Sequence, residues 1–237
     1  MKGIAIVLSA TSLLLAQTET SLIGTGYAAP APIEVAPGQI VTLFFRGVKP
    51  SSNGILRSGA AQGVPLPMTV AGLSAHILQV PQTSPYPVPI LAVRQHTDCE
   101  EVSFRPACIL TAVRVQIPLE LTPTIAKLVL EEDGQLSRTF LVRPIRDNAH
   151  IITSCDLTWD TNPGSRCNRL AFHANGQAVN ENSPAKVGET IVIYAHGLGP
   201  TLPRATTGNP SPAGATVIDG VSRQIRVGFQ FFVNASP

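Results

Sequence analysis

The sequence predicts an all-β protein made of immunoglobulin-like β-sandwich modules with little helix. Three observations point there. The 237 residues include 21 Pro and 19 Gly, with 44% apolar and only 14% charged residues. That composition suits many short strands joined by turns, with enough apolar mass to bury a core. Several stretches alternate apolar and polar residues with a period of two, the mark of a half-buried strand. No stretch sustains an apolar period of 3.6 residues, the mark of an amphipathic helix.

At the N-terminus, Lys2 followed by the apolar run Ile4–Ala16 reads as a signal peptide covering residues 1–16. The run is shorter than the roughly 18 to 20 residues that span a bilayer, so a secreted or cell-surface product of the Sec route is expected, with no membrane insertion after cleavage. Residues 17–34, with the Pro/Ala-rich Ala28–Pro32, read as a linker.

A first module is expected over residues 35–145. Ala36-Pro37-Gly38 forms a turn before the β-rich Gln39–Phe45, and residues 48–65 read as loop. Pro67–Val70 and Ala75–Val80 form a strand pair turning at Gly72, and Val88–Val93, with Pro89 near its start, reads as an edge strand. Residues 94–108 are polar and hold two cysteines. Val113, Val115 and Ile117 then share one strand face, with Arg114 and Gln116 on the other. Ile125–Glu131 and Ser137–Val142 flank Glu132-Asp133-Gly134, a hairpin turn.

A second module is expected over residues 146–237. Its strands are Asn148–Ile152, Leu170–His173, Glu189–Ala195 and Gln224–Val233, with polar loops at 153–168 and 197–222. Ile225, Val227, Phe229, Phe231 and Val233 alternate along the last. An immunoglobulin-like sandwich uses about seven strands in about 100 residues. This module is therefore expected to be incomplete, with an edge that invites association.

The four cysteines are Cys99, Cys108, Cys155 and Cys167. An even count in an exported chain points to disulfides, and the simplest pairing joins neighbours, Cys99–Cys108 and Cys155–Cys167. Structural zinc sites use cysteines two to four residues apart, a spacing absent here.

Seventeen basic and 15 acidic residues give a net charge of +2 with no Lys/Arg run, which argues against nucleic acid as a partner. Ser183-Pro184-Ala185-Lys186 matches the S-x-x-K signature of penicillin-recognising enzymes, but that chemistry needs a helix start and a K-T-G partner, and the context here is a turn before a strand. His76, His96, His150, His173 and His196 show no ligand spacing; His173 and His196 both end apolar runs and could share one end of a sandwich. Glu131-Glu132-Asp133 lacks the alternating pattern of calcium loops and reads as a solvated hairpin tip. No catalytic residue, cofactor or metal is expected. Trp159, beside Asp156 and Asp160 in the 155–167 loop, is the candidate ligand contact. An indole face stacks on a sugar ring while carboxylates accept its hydroxyls. The plainer role for Trp159 is to cover the disulfide and the edge of the core.

Several phrases carry a resemblance. They are Val35-Ala36-Pro37-Gly38-Gln39-Ile40-Val41-Thr42-Leu43-Phe44, Val115-Gln116-Ile117-Pro118-Leu119-Glu120-Leu121, and Asn175-Gly176 through Ser183-Pro184-Ala185. Gly188-Glu189-Thr190-Ile191-Val192-Ile193-Tyr194-Ala195 with Gly197-Leu198-Gly199, and Phe229-Gln230-Phe231, complete the set. Together they resemble exported acidobacterial proteins that share the uncharacterised Solibacter-type C-terminal domain, from about Val35 onward. The polar segment 94–108 departs from that pattern as an insertion. The resemblance implies immunoglobulin-like or IPT/TIG-type β modules and supplies no catalytic residue. The function expected is a non-catalytic exported interaction module, for adhesion or carbohydrate binding, whose partner is an extracellular protein or glycan. The alternative is a secreted hydrolase with a site assembled across strands. Paired carboxylates would mark a glycosidase, and the acids here are few and mostly in turns.

Overall fold

The computed structural model describes residues 20–25, 32–81, 84–97, 106–155 and 167–217. The signal segment 1–16 and the strand expected at Gln224–Val233 lie outside the described residues. What is described is nearly all β.

In chain order the first part runs β1 (Ser21–Thr25), β2 (Ile33–Val35), β3 (Ile40–Arg46), β4 (Ser58–Ala60), β5 (Thr69–Val70), β6 (Leu73–Gln79), β7 (Tyr86–Pro87), β8 (Ile90–Thr97), β9 (Ile109–Gln116), β10 (Ala126–Glu132) and β11 (Gln135–Pro144). A five-stranded sheet has the order β1-β3-β9-β8-β4, and a six-stranded sheet the order β2-β11-β10-β6-β5, with β7 paired on β6. Neighbours are antiparallel except β2, which runs parallel to β11 through Ile33↔Val142 and Val35↔Pro144.

The period of two in the sequence becomes the core. Val41, Leu43 and Phe45 of β3 are buried, as are Leu73, Ala75 and Ile77 of β6 and Val113 and Val115 of β9. These residues belong to one cluster drawn from both sheets, and the Phe45 and Phe140 rings meet across it with centroids 5.4 Å apart. Each large side chain so buried contributes about 1.5–3 kcal/mol. The hairpin turn is where the sequence places it. Asp133 and Gly134 have φ of +50° and +79°, the positive pair that a two-residue hairpin connection needs.

Several local expectations differ. The segment 17–34 expected as a linker carries β1 and the start of β2, which pair with β3 and β11, and the loop expected at 197–222 contains the short pair β16-β17. Val88–Val93 reads as an edge strand, yet β8 lies between β9 and β4. Pro89 stands one residue before β8, so its missing N–H falls outside the ladder, and its carbonyl accepts from Gln116 N at 3.0 Å. The loop expected at 48–65 contains β4 and the buried Arg57. The polar segment expected from residue 94 begins as strand, because β8 continues to Thr97. Gln95 sits buried there, accepting from Arg57 N at 2.8 Å and donating to Thr111 Oγ1 at 3.0 Å. Polar side chains go inside when their hydrogen bonds are met.

The second part carries β12 (His150–Ile151), β13 (Ala171–His173), β14 (Ile191–Ile193), β15 (Ala195–His196), β16 (Thr201–Leu202) and β17 (Thr216–Val217). They pair as β12-β15, β13-β14 and β16-β17. Among its described residues only Gly197 and Gly208 are buried, and the apolar cluster stops at Val142. Hydrogen bonds tie this part to the first. Asn148 Nδ2 donates to Glu34 O at 3.1 Å, Leu119 N to Thr207 Oγ1 at 2.9 Å, Gly208 N to Gln116 Oε1 at 2.6 Å, and Leu66 N to Gly208 O at 2.7 Å. Gly197 packs so closely that a Cβ there would stand 2.1 Å from Asn148 O.

Candidate functional site

The loop expected to carry recognition has a closed base. Cys155 and Cys167 are disulfide-bonded with Cα atoms 5.1 Å apart. Beneath them the two chain runs are antiparallel: Ser154 N donates to Asn168 O at 2.8 Å, Leu170 N to Ile152 O at 3.0 Å, and Thr153 bridges Arg169. Asn168 N also donates to Ser154 Oγ at 3.1 Å. The loop therefore leaves a short ladder that a covalent bond clamps at the top. Asp156, Trp159 and Asp160 lie outside the described residues, as does Cys99. Cys108 is disulfide-bonded.

A second constellation gathers at the end of β13. His173 Nδ1 makes a short contact with Glu189 Oε1, and its Nε2 stands 3.1 Å from both Ser183 O and Ser183 Oγ. The turns on either side place these groups. Asn180 Oδ1 accepts from the backbone N–H of Asn182 at 2.9 Å and Ser183 at 3.0 Å. Glu189 Oε2 accepts from Lys186 N at 2.9 Å. The Glu189 carboxylate, then the Ser183 carbonyl, hold the His173 imidazolium above the usual histidine range, against some desolvation and the Lys186 charge. Lys186 N–H and then His173 hold Glu189 below the usual carboxylate range.

Ser183, His173 and Glu189 thus stand in the order nucleophile, base and orienting acid. Two features work against that chemistry. Nε2 faces a carbonyl as well as the hydroxyl, which favours a proton on it. The Ser183 N–H, a natural oxyanion donor, is already given to Asn180. Both ring nitrogens facing acceptors make the imidazolium a bridge between two turns. Ser183 stood out in the sequence only through S-x-x-K, and it does lie in a turn. His173 and Glu189 are 16 residues apart, and only the β13-β14 pairing brings them together. His173 and His196 each have another partner: His196 faces His150 across β12-β15, with ring centroids 6.0 Å apart.

The acidic hairpin tip is bound to the protein. Glu131 reaches His76 Nδ1 at 3.1 Å and Ser74 Oγ at 3.0 Å. Glu132 accepts from Lys49 N at 3.0 Å and Thr20 Oγ1 at 3.2 Å, and Asp133 pairs with Arg57. Among the described residues no group of three His, Cys, Asp or Glu is placed to hold a metal ion.

The fold and these sites define an all-β, disulfide-bonded protein. Comparison with protein-family models, curated proteins and solved structures gives no significant match.

Proposed function

We propose that this chain is an exported, non-catalytic interaction module of the kind its sequence resembles, the exported proteins with a Solibacter-type C-terminal domain. Its first part is read as an immunoglobulin-like sandwich. Support comes from the N-terminal strands, which divide between the two sheets, β1 antiparallel to β3 and β2 parallel to β11.

The observation that carries the binding role is the loop base at Cys155–Cys167. A loop pinned by a disulfide and a short ladder loses less conformational freedom on binding than a free one. Within it Trp159 offers a stacking face and Asp156 and Asp160 offer acceptors, the equipment for a sugar. The test is a glycan array probed with the secreted, signal-cleaved chain and with Trp159→Ala. Binding to a defined glycan class is expected, weakened at least about tenfold by the substitution. Failure to bind any glycan, or equal binding by both proteins, overturns the reading.

The contact of Ser183 with His173 favours a second reading, a hydrolase. A fluorophosphonate probe would decide it. Labelling that disappears in Ser183→Ala supports an activated serine, and an unlabelled protein removes the serine-hydrolase reading.

A further inference from the structure

The two parts of the chain repeat one another. At one constant spacing, Gly38, Val41, Leu43, Phe44, Gly47, Val48 and Pro50 correspond to Gly188, Ile191, Ile193, Tyr194, Gly197, Leu198 and Pro200. The local geometry repeats too. Ala36 N donates to Gln39 Oε1 at 2.7 Å and Gln39 N to Ala36 O at 3.0 Å. In the second part Lys186 N donates to Glu189 Oε2 at 2.9 Å and Glu189 N to Lys186 O at 3.1 Å. The glycine inside each turn has positive φ, +74° at Gly38 and +84° at Gly188. Each of the two strands also pairs antiparallel with a strand that precedes it in the chain, β3 with β1 and β14 with β13.

The two copies differ in what covers the strand. Val41 and Leu43 are 1% and 2% exposed under the sheet that contains β6. Their counterparts Ile191 and Ile193 are only partly buried, although they too are less exposed than the outward-facing Tyr194. The first copy shows which segment belongs over this face. Thr69-Val70, Gly72-Leu73-Ser74 and Ile77, which form β5, its turn and β6, correspond to Thr216-Val217, Gly220-Val221-Ser222 and Ile225, with one extra residue between the first two groups. The core-facing Leu73 and Ile77 thereby match Val221 and Ile225.

We infer that the face of Ile191 and Ile193 is an acceptor for the chain's own segment Val221–Val227, docked as β6 is docked over β3. That segment lies outside the described residues. Its sequence correspondence to β6 names it as the occupant in preference to a second copy or a foreign strand. The inference is independent of whether the 155–167 loop binds a sugar.

The test compares the full mature chain with Ile225→Asp and with Arg226→Asp, whose side chain matches the exposed Leu78. Amide exchange at Ile191–Ile193 should accelerate by about tenfold or more in Ile225→Asp, with increased binding of an apolar dye, and stay near wild type in Arg226→Asp. Exchange at Val41 and Leu43 should be unchanged in both, which shows that the first part remains folded. Equal behaviour of the two variants at Ile191–Ile193 overturns the inference. So does a wild-type dimer, by light scattering, whose dilution exposes this face, because a second copy would then be the occupant.

Discussion

Arg57 and Asp133 meet in a two-pronged ion pair, with Nη2 2.6 Å from Oδ2 and Nη1 3.1 Å from Oδ1. Arg57 is buried, and its side chain also donates to Ala71 O and Lys49 O at 2.8 Å and to Pro50 O at 3.3 Å. One guanidinium thus joins the chain around β4, the β5-β6 turn and the tip of the β10-β11 hairpin.

Truncating Arg57 removes the guanidinium from the Ala71 and Pro50 carbonyls and the Asp133 carboxylate, and leaves the Lys49 carbonyl only its contact with Gln95 Nε2. Arg57→Leu should destabilise the protein by about 1–3 kcal/mol, mainly from the carbonyls that lose a charged donor, because the Asp133 carboxylate is half exposed and is rehydrated when the pair is broken. Arg57→Lys should recover part of that, because an ammonium cannot reproduce the fork. Denaturant unfolding checks both, and a loss below about 1 kcal/mol in Arg57→Leu would contradict the role given to the pair.

Gly72 guards the same contact. Its φ is +76°, and an added Cβ would stand 2.3 Å from Asp133 Oδ1 and 2.5 Å from Arg57 Nη1. Gly134 has a similar φ of +79° but open space around it. Gly134→Ala should therefore cost only the left-handed backbone penalty, about 1–2 kcal/mol. Gly72→Ala should cost clearly more, since the side chain also pushes the ion pair apart. Thermal unfolding of the two variants side by side gives the comparison.

The His173–Glu189 bridge has a pH window. The folded-state value of His173 is raised above 6.5, so its contribution is complete below 6.5 and is lost as pH rises through the raised value. The value of Glu189 is lowered below 4.5, so its contribution is present above 4.5 and is lost as pH falls through the lowered value. The turns at residues 180–189 should be best held between these limits. An NMR titration of the His173 ring should show its raised midpoint fall in Glu189→Gln, with little change in unfolding of the first part.

The disulfide is a local clamp. Replacing both Cys155 and Cys167 by Ser should leave the sheets around Phe45 intact and release the ladder at residues 152–154 and 168–170 to exchange. Closing a loop with a sequence separation of 12 stabilises by about 3 kcal/mol in the chain-entropy account, here confined to the second part. Non-reducing peptide mapping of the wild type should recover the Cys155–Cys167 crosslink.

The repeated turn shows where sequence reading stops. Gly38 and Gly188 mark both turns without any structure, because a positive φ favours glycine wherever it occurs. What the following side chain does was not legible in the same way. Gln39 is buried at the junction, where Asn148 Nδ2 approaches its Oε1 at 3.4 Å, whereas Glu189 meets His173. Those partners arrive from strands remote in the chain, and no local pattern names them.

The sequence by itself determined the longer alternating strands of the first part, their inward faces and the Asp133-Gly134 turn, because these follow from alternation and backbone preference within a few residues, whereas short strands such as β1, β4 and β16 form only by pairing with remote partners. It also placed Cys155 and Cys167 close enough in the chain for the simplest pairing to hold. Only the tertiary structure decided that β8 is an inner strand, that Arg57, Gln79 and Gln95 go inside, and that Glu131, Glu132 and Asp133 of the solvent-facing hairpin tip also meet protein donors. A polar side chain is buried only when distant backbone brings the hydrogen bonds that offset its lost hydration, as Thr122 and Thr124 carbonyls do for Gln79 Nε2 at 2.8 and 3.0 Å. That condition is set by the pairing of whole strands across the core.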